Sequence, residues 1–177
     1  MSPMKIQLYD NFLSKKECKF LINYYQKYYT NEFNDATYGN TSSMLTLTLG
    51  NKSRTVPLTH WLHLRVNLIR WKCLNHILKQ VPLVLEYDQL VHWPNESFVD
   101  LHYDKTDIWK QSLGLNTSWT AICYLNDDYS GGETVLDDQK IKPKTGTLLM
   151  FNSRNILHGV TPVVGTRYTY ASWFQEK

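Results

Sequence analysis

The first half of the chain carries apolar side chains at helical spacing in two places. Ser14, followed three residues later by Glu17, forms a capping-box signature, and apolar positions with helical periodicity follow it. A second helical pattern begins after a polar stretch and a short alternating segment. The predicted helices run from Ser14 to about Tyr29 and from Pro57 or Thr59 to about Gln80.

The second half of the chain consists of short segments in which apolar and polar positions alternate, which predicts strands. The predicted strands cover Met4–Leu8, Met44–Leu49, Leu83–His92 and about 98–104, 118–126, 132–137, 139–142, 147–152, 156–160 and 166–175. Many short strands after two helices predict an antiparallel β-sandwich or barrel with the helices packed on one side. The polar segments 30–42 and 105–117 are predicted loops, and the second is either a lid or plain disorder.

Length and composition predict one domain. The chain has 177 residues, with 42% hydrophobic and 20% charged positions, which are ordinary values for a globular protein. We expect residues 1–83 to form a helical support region and residues 84–175 to form the β core. Nothing in the sequence predicts the oligomeric state.

Charge and cysteine usage exclude several kinds of partner. The net charge is only +3, and no basic cluster of the kind expected in a nucleic-acid groove is present. No segment approaches the ~20 apolar residues of a membrane helix, and the N-terminus lacks the pattern of a signal peptide. The three cysteines do not have the spacing of a zinc site or a disulfide framework. We therefore predict no nucleic-acid partner, no membrane association, and reduced, mostly buried thiols in a cytoplasmic protein.

The candidate chemistry lies on two of the predicted strands. Alternation places His102 and Asp104 on one face of a strand, and His158 follows another strand. Two imidazoles and one carboxylate can occupy one face of an octahedral ion and leave three positions open, which is typical of non-haem Fe(II) sites. Mn(II), Co(II) or Ni(II) would suit the same ligands. His60 and His63 on the second predicted helix are interpreted as ordinary helix histidines rather than a metal pair.

Arg167 begins the last predicted strand, where it shares a face with Trp173. An arginine buried on that face needs an anionic partner. The planar guanidinium can bind a carboxylate through two parallel hydrogen bonds. A carboxylate of a bound cosubstrate would satisfy it.

Three segments resemble a known family. The stretch from Trp119 to Thr134, which ends in Gly131-Gly132-Glu133-Thr134, resembles the segment between the two metal-binding strands of prolyl 4-hydroxylase-like 2-oxoglutarate/Fe(II) oxygenases. Leu157 to Tyr168 resembles their second-histidine segment, and Tyr9 to Cys18 their opening strand and helix start. The resemblance is close over residues 84–175 and loose over residues 1–83.

The resemblance implies a fold, a chemistry and roles for individual residues. The implied fold is a double-stranded β-helix, or jelly roll, with flanking helices. The implied cofactors are Fe(II), 2-oxoglutarate as cosubstrate, O₂, and ascorbate as a candidate reductant. His102, Asp104 and His158 would hold the metal. Arg167 and Tyr124 would bind the distal carboxylate of 2-oxoglutarate, with Trp173 nearby.

The resemblance also implies a substrate, which is a proline in a peptide or protein. His92 stands where oxygen-sensing members of the family carry a tyrosine, and this departure bears on the prolyl substrate. We predict that the peptide lies near His92 and Trp93, with Trp109 of the 105–117 loop closing over it. Two alternatives are a hydroxylase of a free amino acid or other small molecule, and a metal-binding jelly-roll module without turnover.

Overall fold

Two antiparallel sheets face each other, and two helices pack on the outer face of the larger sheet. The computed structural model describes residues 6–29, 35–36, 44–51, 54–55, 61–104 and 116–177. The elements are β1 (Ile6–Tyr9), α1 (Lys15–Tyr28), β2 (Asp35–Ala36), β3 (Met44–Asn51), β4 (Arg54–Thr55), α2 (Trp61–Leu78), β5 (Leu83–Trp93), β6 (Val99–His102), β7 (Trp119–Tyr124), β8 (Ser130–Gly131), β9 (Thr134–Leu136), β10 (Gln139–Ile141), β11 (Leu148–Phe151), β12 (His158–Val160), β13 (Val163–Val164) and β14 (Arg167–Glu176).

The larger sheet has eight strands among the described residues, in the order β1-β11-β7-β14-β5-β3-β2, with β4 paired to β3. The smaller sheet has the order β10-β9-β12-β6, and β13 pairs with β8.

This architecture confirms the predicted jelly roll with helices on one side. The predicted capping box is present, because the Ser14 hydroxyl accepts from the Glu17 backbone N–H at 3.2 Å and the Glu17 carboxylate accepts from the Ser14 N–H at 2.8 Å. The strand expected at 132–137 is shorter, since β9 covers Thr134–Leu136, and Ser130–Gly131 form a separate strand, β8. Gly131 and Gly132 both have positive φ, which breaks the ladder there.

Alternation along β14 separates the two faces of the larger sheet. Tyr170 packs with helix residues such as Leu21 and Cys73 in the largest hydrophobic cluster. Ala171 packs instead with Val91 and Val160 between the two sheets. The space between the sheets is therefore the interior of the jelly roll, and the helices seal the opposite face.

A buried charged network fixes α2 to the larger sheet. Arg70 donates through Nε and Nη2 to both carboxylate oxygens of Asp88, at 2.6 and 2.7 Å. The Tyr170 hydroxyl donates to the same carboxylate at 2.7 Å, and Arg70 Nη1 donates to Asn67. Because both charges are paired and further hydrogen-bonded, burial is tolerated here without a ligand.

The three cysteines are free and buried, which confirms that part of the sequence-based interpretation. Burial raises the pKa of the Cys73 thiol to about 12, so this group is an unreactive part of the core. Neither α1 nor α2 is long and apolar enough to cross a membrane among the residues that the structure describes.

Candidate active site

Two histidines lie side by side on neighbouring strands of the smaller sheet. His102 on β6 is paired in register with His158 on β12, and their ring centroids are 4.3 Å apart. A glycine follows His158, and a Cβ at Gly159 would lie 2.7 Å from the backbone oxygen of Val99. The absent side chain permits the close approach of these strands that brings the two imidazoles together.

Asp104 completes the cluster from a position beyond the end of β6. The prediction that it shares a strand face with His102 is therefore wrong in detail, because β6 ends at His102 and the Asp104 N–H donates to the Ser153 carbonyl at 2.9 Å. Asp104 Oδ1 lies 3.6 Å from His102 Nε2, and Oδ2 lies 3.8 Å from His158 Nε2. The segment that follows β6, rather than β6 itself, brings the carboxylate to the two imidazole rings.

Neighbouring polar groups hold each member of the cluster. The Nδ1 atoms of His102 and His158 lie 2.9 and 3.0 Å from backbone carbonyl oxygens, those of Asp100 and Ile156 respectively. A carbonyl oxygen only accepts, so each Nδ1 carries the proton and each Nε2 lone pair is available to a metal. The buried Thr120 hydroxyl donates to Asp104 Oδ2 at 2.8 Å and lies 2.9 Å from Ser153 Oγ.

The three side chains could hold one metal ion. One ligand atom from each of His102, Asp104 and His158 lies within 4.8 Å of the other two, and the structure shows one such group among its described residues. Asp104 and His158 are buried, whereas the His102 side chain is 43% exposed. A site of two imidazoles and one carboxylate, open on one side, suits Fe(II) chemistry.

Arg167 lies fully buried in the jelly-roll interior. It is paired in register with Trp93, and its Cζ lies 4.4 Å from the Trp93 ring centroid. Its Nη2 donates weakly, at 3.5 Å, to the Thr134 hydroxyl, which also accepts from the Tyr124 hydroxyl at 2.7 Å. Its Nε and Nη1 have no hydrogen-bond partner among the residues that the structure describes.

An unpaired guanidinium in this position fits an anionic ligand. No carboxylate pairs with Arg167 in the described part of the chain, whereas the other buried arginine, Arg70, has Asp88. A buried charge without a partner costs several kcal/mol in general, roughly the cost that a bound carboxylate would offset. Tyr124, whose ring lies 5.6 Å from Arg167 Cζ, belongs to a hydrophobic cluster that also contains Phe151. The Phe151 ring in turn lies 5.0 Å from the ring of His158.

The structure gathers some of the other predicted site residues and not others. Trp173 stacks on Tyr87 at 4.5 Å and is paired in register with Thr120, so it lies beside the residue that bonds Asp104. Trp93 lies against Arg167, where the candidate anionic ligand would bind, rather than beside the metal cluster. His92 is on the opposite face of β5, where it stacks on Tyr168 at 4.7 Å and contacts α1, and it is not brought to the site.

The predicted lid at 105–117 lies mostly outside the described residues, since 105–115 and therefore Trp109 are not among them. Its downstream end is described. Thr117 donates to the buried carboxylate of Glu86 on β5, which fixes where the segment rejoins the sheet.

Sequence reasoning missed four polar residues that lie beside Asp104 or Arg167. Thr120 and Ser153 support Asp104, while Thr134 and Tyr129 lie beside Arg167. Thr134 carries a signal, because it closes the Gly-Gly-Glu-Thr segment. The other three stand in apolar or turn segments where periodicity does not distinguish a site residue from a core residue.

Comparison with known proteins gives a family match. The family model described as the 2OG-Fe(II) oxygenase superfamily matches residues 88–175. This range contains all three cluster residues and Arg167. A comparison of the sequence with curated proteins found no match.

Solved structures of prolyl hydroxylases have the same fold. A viral collagen prolyl hydroxylase from Paramecium bursaria Chlorella virus-1, in complex with 2OG, has a TM-score of 0.66 at 21% identity, covering 98% of this chain and 97% of that one. A prolyl hydroxylase from Trichoplax adhaerens, in complex with a hypoxia inducible factor peptide fragment, has a TM-score of 0.74 at 18% identity, covering 97% and 84%. A Pseudomonas putida prolyl-4-hydroxylase has a TM-score of 0.73 at 17% identity, covering 98% and 93%.

Sequence, fold and site therefore agree. The family's cofactors are the ones that the His-Asp-His cluster and the buried arginine fit, namely Fe(II) and 2-oxoglutarate. This chain belongs to the 2OG-Fe(II) oxygenase superfamily, and its jelly roll is the fold that the prolyl hydroxylases of that superfamily share.

Proposed function

We propose that this protein is a 2-oxoglutarate- and Fe(II)-dependent hydroxylase that acts on a proline in a peptide or protein. His102, Asp104 and His158 would be the metal ligands. The observation that carries the proposal is that the structure contains both this cluster and a fully buried arginine, whose Nε and Nη1 have no hydrogen-bond partner in the described part of the chain. A metal-binding module without turnover would not need that second, anion-binding position.

The protein's own residues position the reactants. When bound, Fe(II) and 2-oxoglutarate supply an oxidative decarboxylation, to succinate and CO₂, that is coupled to insertion of one O₂ oxygen atom into a substrate C–H bond. His102 and His158 present Nε2 in a fixed tautomer, because backbone carbonyls hold the Nδ1 protons. Arg167 would bind the distal carboxylate and so orient the cosubstrate from the closed end of the interior.

The exposed side of the metal cluster supports a substrate approach from the His102 side. Leu101 and Tyr103 flank His102 and are 52% and 39% exposed, whereas His158 and Arg167 face the closed interior. A compact apolar ring such as proline suits a rim of this kind, and an extended peptide could bond along it through its backbone. The Trichoplax adhaerens structure, which contains a peptide, supports this choice by its fold alone.

The function is tested by incubating Fe(II)-loaded protein with 2-oxoglutarate, ascorbate and a set of proline-containing peptides. We expect a mass gain of one oxygen atom on the peptide, located on proline by fragmentation, with an equal amount of succinate. Matched peptides with alanine in place of proline should gain nothing. Hydroxylation of free amino acids alone would replace the peptide proposal with the small-molecule one, and absence of any succinate would favour the non-catalytic module.

The support of Asp104 by Thr120 gives a second expected result. Thr120→Val keeps the shape of the side chain but leaves a carboxylate oxygen without its donor, which should weaken Fe(II) binding by roughly 10–100-fold. Ser153→Ala removes a hydroxyl that contacts Thr120 rather than Asp104, so it should weaken Fe(II) binding less. Metal titration of the apoprotein measures both.

Thr166→Val is the matched control, since Thr166 is exposed and its hydrogen bond, from the Asn126 side chain, is made to its backbone oxygen. Unchanged Fe(II) affinity in Thr120→Val would show that Asp104 is held without the threonine.

A further inference from the structure

The outer face of α2 carries a row of apolar side chains that are exposed to solvent. Leu64, Leu68, Trp71 and Leu78 follow one another at helical spacing, and each is between 39% and 62% exposed. Asn75 is the polar member of the row, and we call these five residues the α2 ridge. Single exposed apolar residues are normal, but a contiguous row on one helix face indicates a surface that another molecule covers.

The packing of α2 onto the protein does not use the ridge. Val66, Ile69, Cys73 and Ile77 on the opposite side of the helix are buried in the hydrophobic cluster that α1 and the larger sheet share. A helix that is apolar on both sides is typical of one that is covered on both sides. At 1.5 Å per residue, the ridge extends about 21 Å along the protein surface.

Basic side chains flank the α2 ridge. The exposed basic residues of the two helices, with the one that directly follows α2, are Lys15, Lys16, Lys19, Lys27, Arg65, Lys72 and Lys79. The helices contain a single acidic residue, Glu17, which already accepts from Lys72 Nζ at 3.1 Å. Arg65 Cζ lies 4.4 Å from the Phe20 ring centroid, so α1 and its charges lie beside the ridge. Because the whole chain has a net charge of only +3, positive charge is concentrated on this helical face.

This charge distinguishes between two occupants of the face. A second copy docked ridge to ridge about a two-fold axis would bring two basic faces together, and like-charge juxtaposition opposes binding. An anionic lipid surface complements both properties of the face, since its phosphates attract lysines and its acyl boundary accepts leucine and tryptophan side chains. The indole of Trp71 is also of the type that is enriched at membrane–water interfaces.

We propose that the face formed by α1 and α2 binds the surface of an anionic lipid bilayer, with the α2 ridge in the boundary between headgroups and acyl chains. The flanking lysines and Arg65 would contact lipid phosphates, and α2 would lie in the plane of the membrane without crossing it. Such binding would replace the expectation, drawn from the sequence, of no membrane association. The folded helix was needed to reveal which of its apolar positions stay exposed.

The test is co-sedimentation of the full chain with phosphatidylcholine vesicles and with mixed vesicles that also contain phosphatidylserine. We expect binding to the mixed vesicles that falls as salt rises, because salt screens the contacts of the basic residues. Leu68→Gln/Trp71→Gln should weaken binding by about tenfold or more, since two inserted apolar side chains are lost. Lys16→Gln/Lys19→Gln should weaken it by roughly fivefold for each charge removed.

Val164→Gln is the matched control, because Val164 is an exposed apolar residue on β13, outside the helical face, and this variant should bind like the wild type. The substituted side chains are all exposed, so unchanged unfolding temperatures should show that every variant is folded. Trp71→Phe gives a local signal. The tryptophan emission of the wild type should shift to shorter wavelength on addition of mixed vesicles, and most of this shift should be absent from the variant.

Three results would overturn membrane binding by the ridge. They are absence of binding to the mixed vesicles, equal binding to both kinds of vesicle, and equal binding by Leu68→Gln/Trp71→Gln and the wild type. Analytical ultracentrifugation tests the other occupant. A wild-type dimer that this double variant converts to a monomer, without any vesicle binding, would identify the ridge as an interface between copies of the chain.

Discussion

The Asp104→Ala variant is expected to lose hydroxylation entirely and to retain Fe(II) poorly. Asp104 supplies the only anionic member of the His102–Asp104–His158 cluster, and its carboxylate lies within 4 Å of both Nε2 atoms. Removal of a residue that merely supports a metal ligand typically lowers metal affinity or activity 10–100-fold. Removal of a ligand itself should therefore lower Fe(II) affinity by roughly that factor or more. Metal content per chain after dialysis, and succinate release with 2-oxoglutarate, measure the two effects.

Asp100→Ala provides a matched control on the same strand. The Asp100 side chain is exposed, and its contribution to the site is the backbone oxygen that faces His102 Nδ1, which the substitution keeps. This variant should bind Fe(II) and turn over like the wild type. Full metal content and full activity in Asp104→Ala would mean that another carboxylate completes the site.

Strand alternation predicted an antiparallel β-sandwich or barrel and placed His102 on a strand, whereas the jelly roll itself was implied by the family resemblance. The short alternating segments gave β5, β6, β7, β11, β12 and β14 close to their observed ranges. The pairing of His102 with His158 follows from two such strands lying next to each other in one sheet. Local patterns succeed here because each strand has one face in the interior and one face covered.

The remainder of the site depends on contacts between segments that are distant in sequence. Asp104 reaches the cluster because its N–H bonds to Ser153, about fifty residues away, and no local pattern indicates this bond. His92 shows the opposite case, in which a residue next to a site residue in sequence lies on the other face of the sheet. It lies next to Trp93 in sequence, yet the pleat turns it toward Tyr25 and Tyr168 on the helix side of the sheet. Sequence adjacency to a site residue is thus no guide to which face a strand residue occupies.

The second large effect is expected on 2-oxoglutarate binding, when Arg167 is replaced. Arg167→Ala should raise the KM for 2-oxoglutarate by roughly tenfold or more, because truncating one partner of a buried, hydrogen-bonded charge pair costs about 2–5 kcal/mol. Metal content should be unchanged, since Arg167 is not among the groups that could hold the ion. Steady-state kinetics at saturating peptide measures the effect, with Arg65→Ala on the exposed face of α2 as the arginine control.

A stability measurement separates a binding role of Arg167 from a structural one. Without 2-oxoglutarate, the Nε and Nη1 atoms of this buried guanidinium have no hydrogen-bond partner within the described ranges of the chain, which is destabilising. Arg167→Met fills much of the same volume without the charge, so in the absence of ligand it should unfold at the same temperature as the wild type or higher. Addition of 2-oxoglutarate with Mn(II) should then raise the unfolding temperature of the wild type much more than that of the variant, because a ligand stabilises only the protein that binds it. An Arg167→Met protein that is less stable without ligand, yet is stabilised by 2-oxoglutarate as much as the wild type, would mean that the arginine supports the fold and that another cation binds the carboxylate.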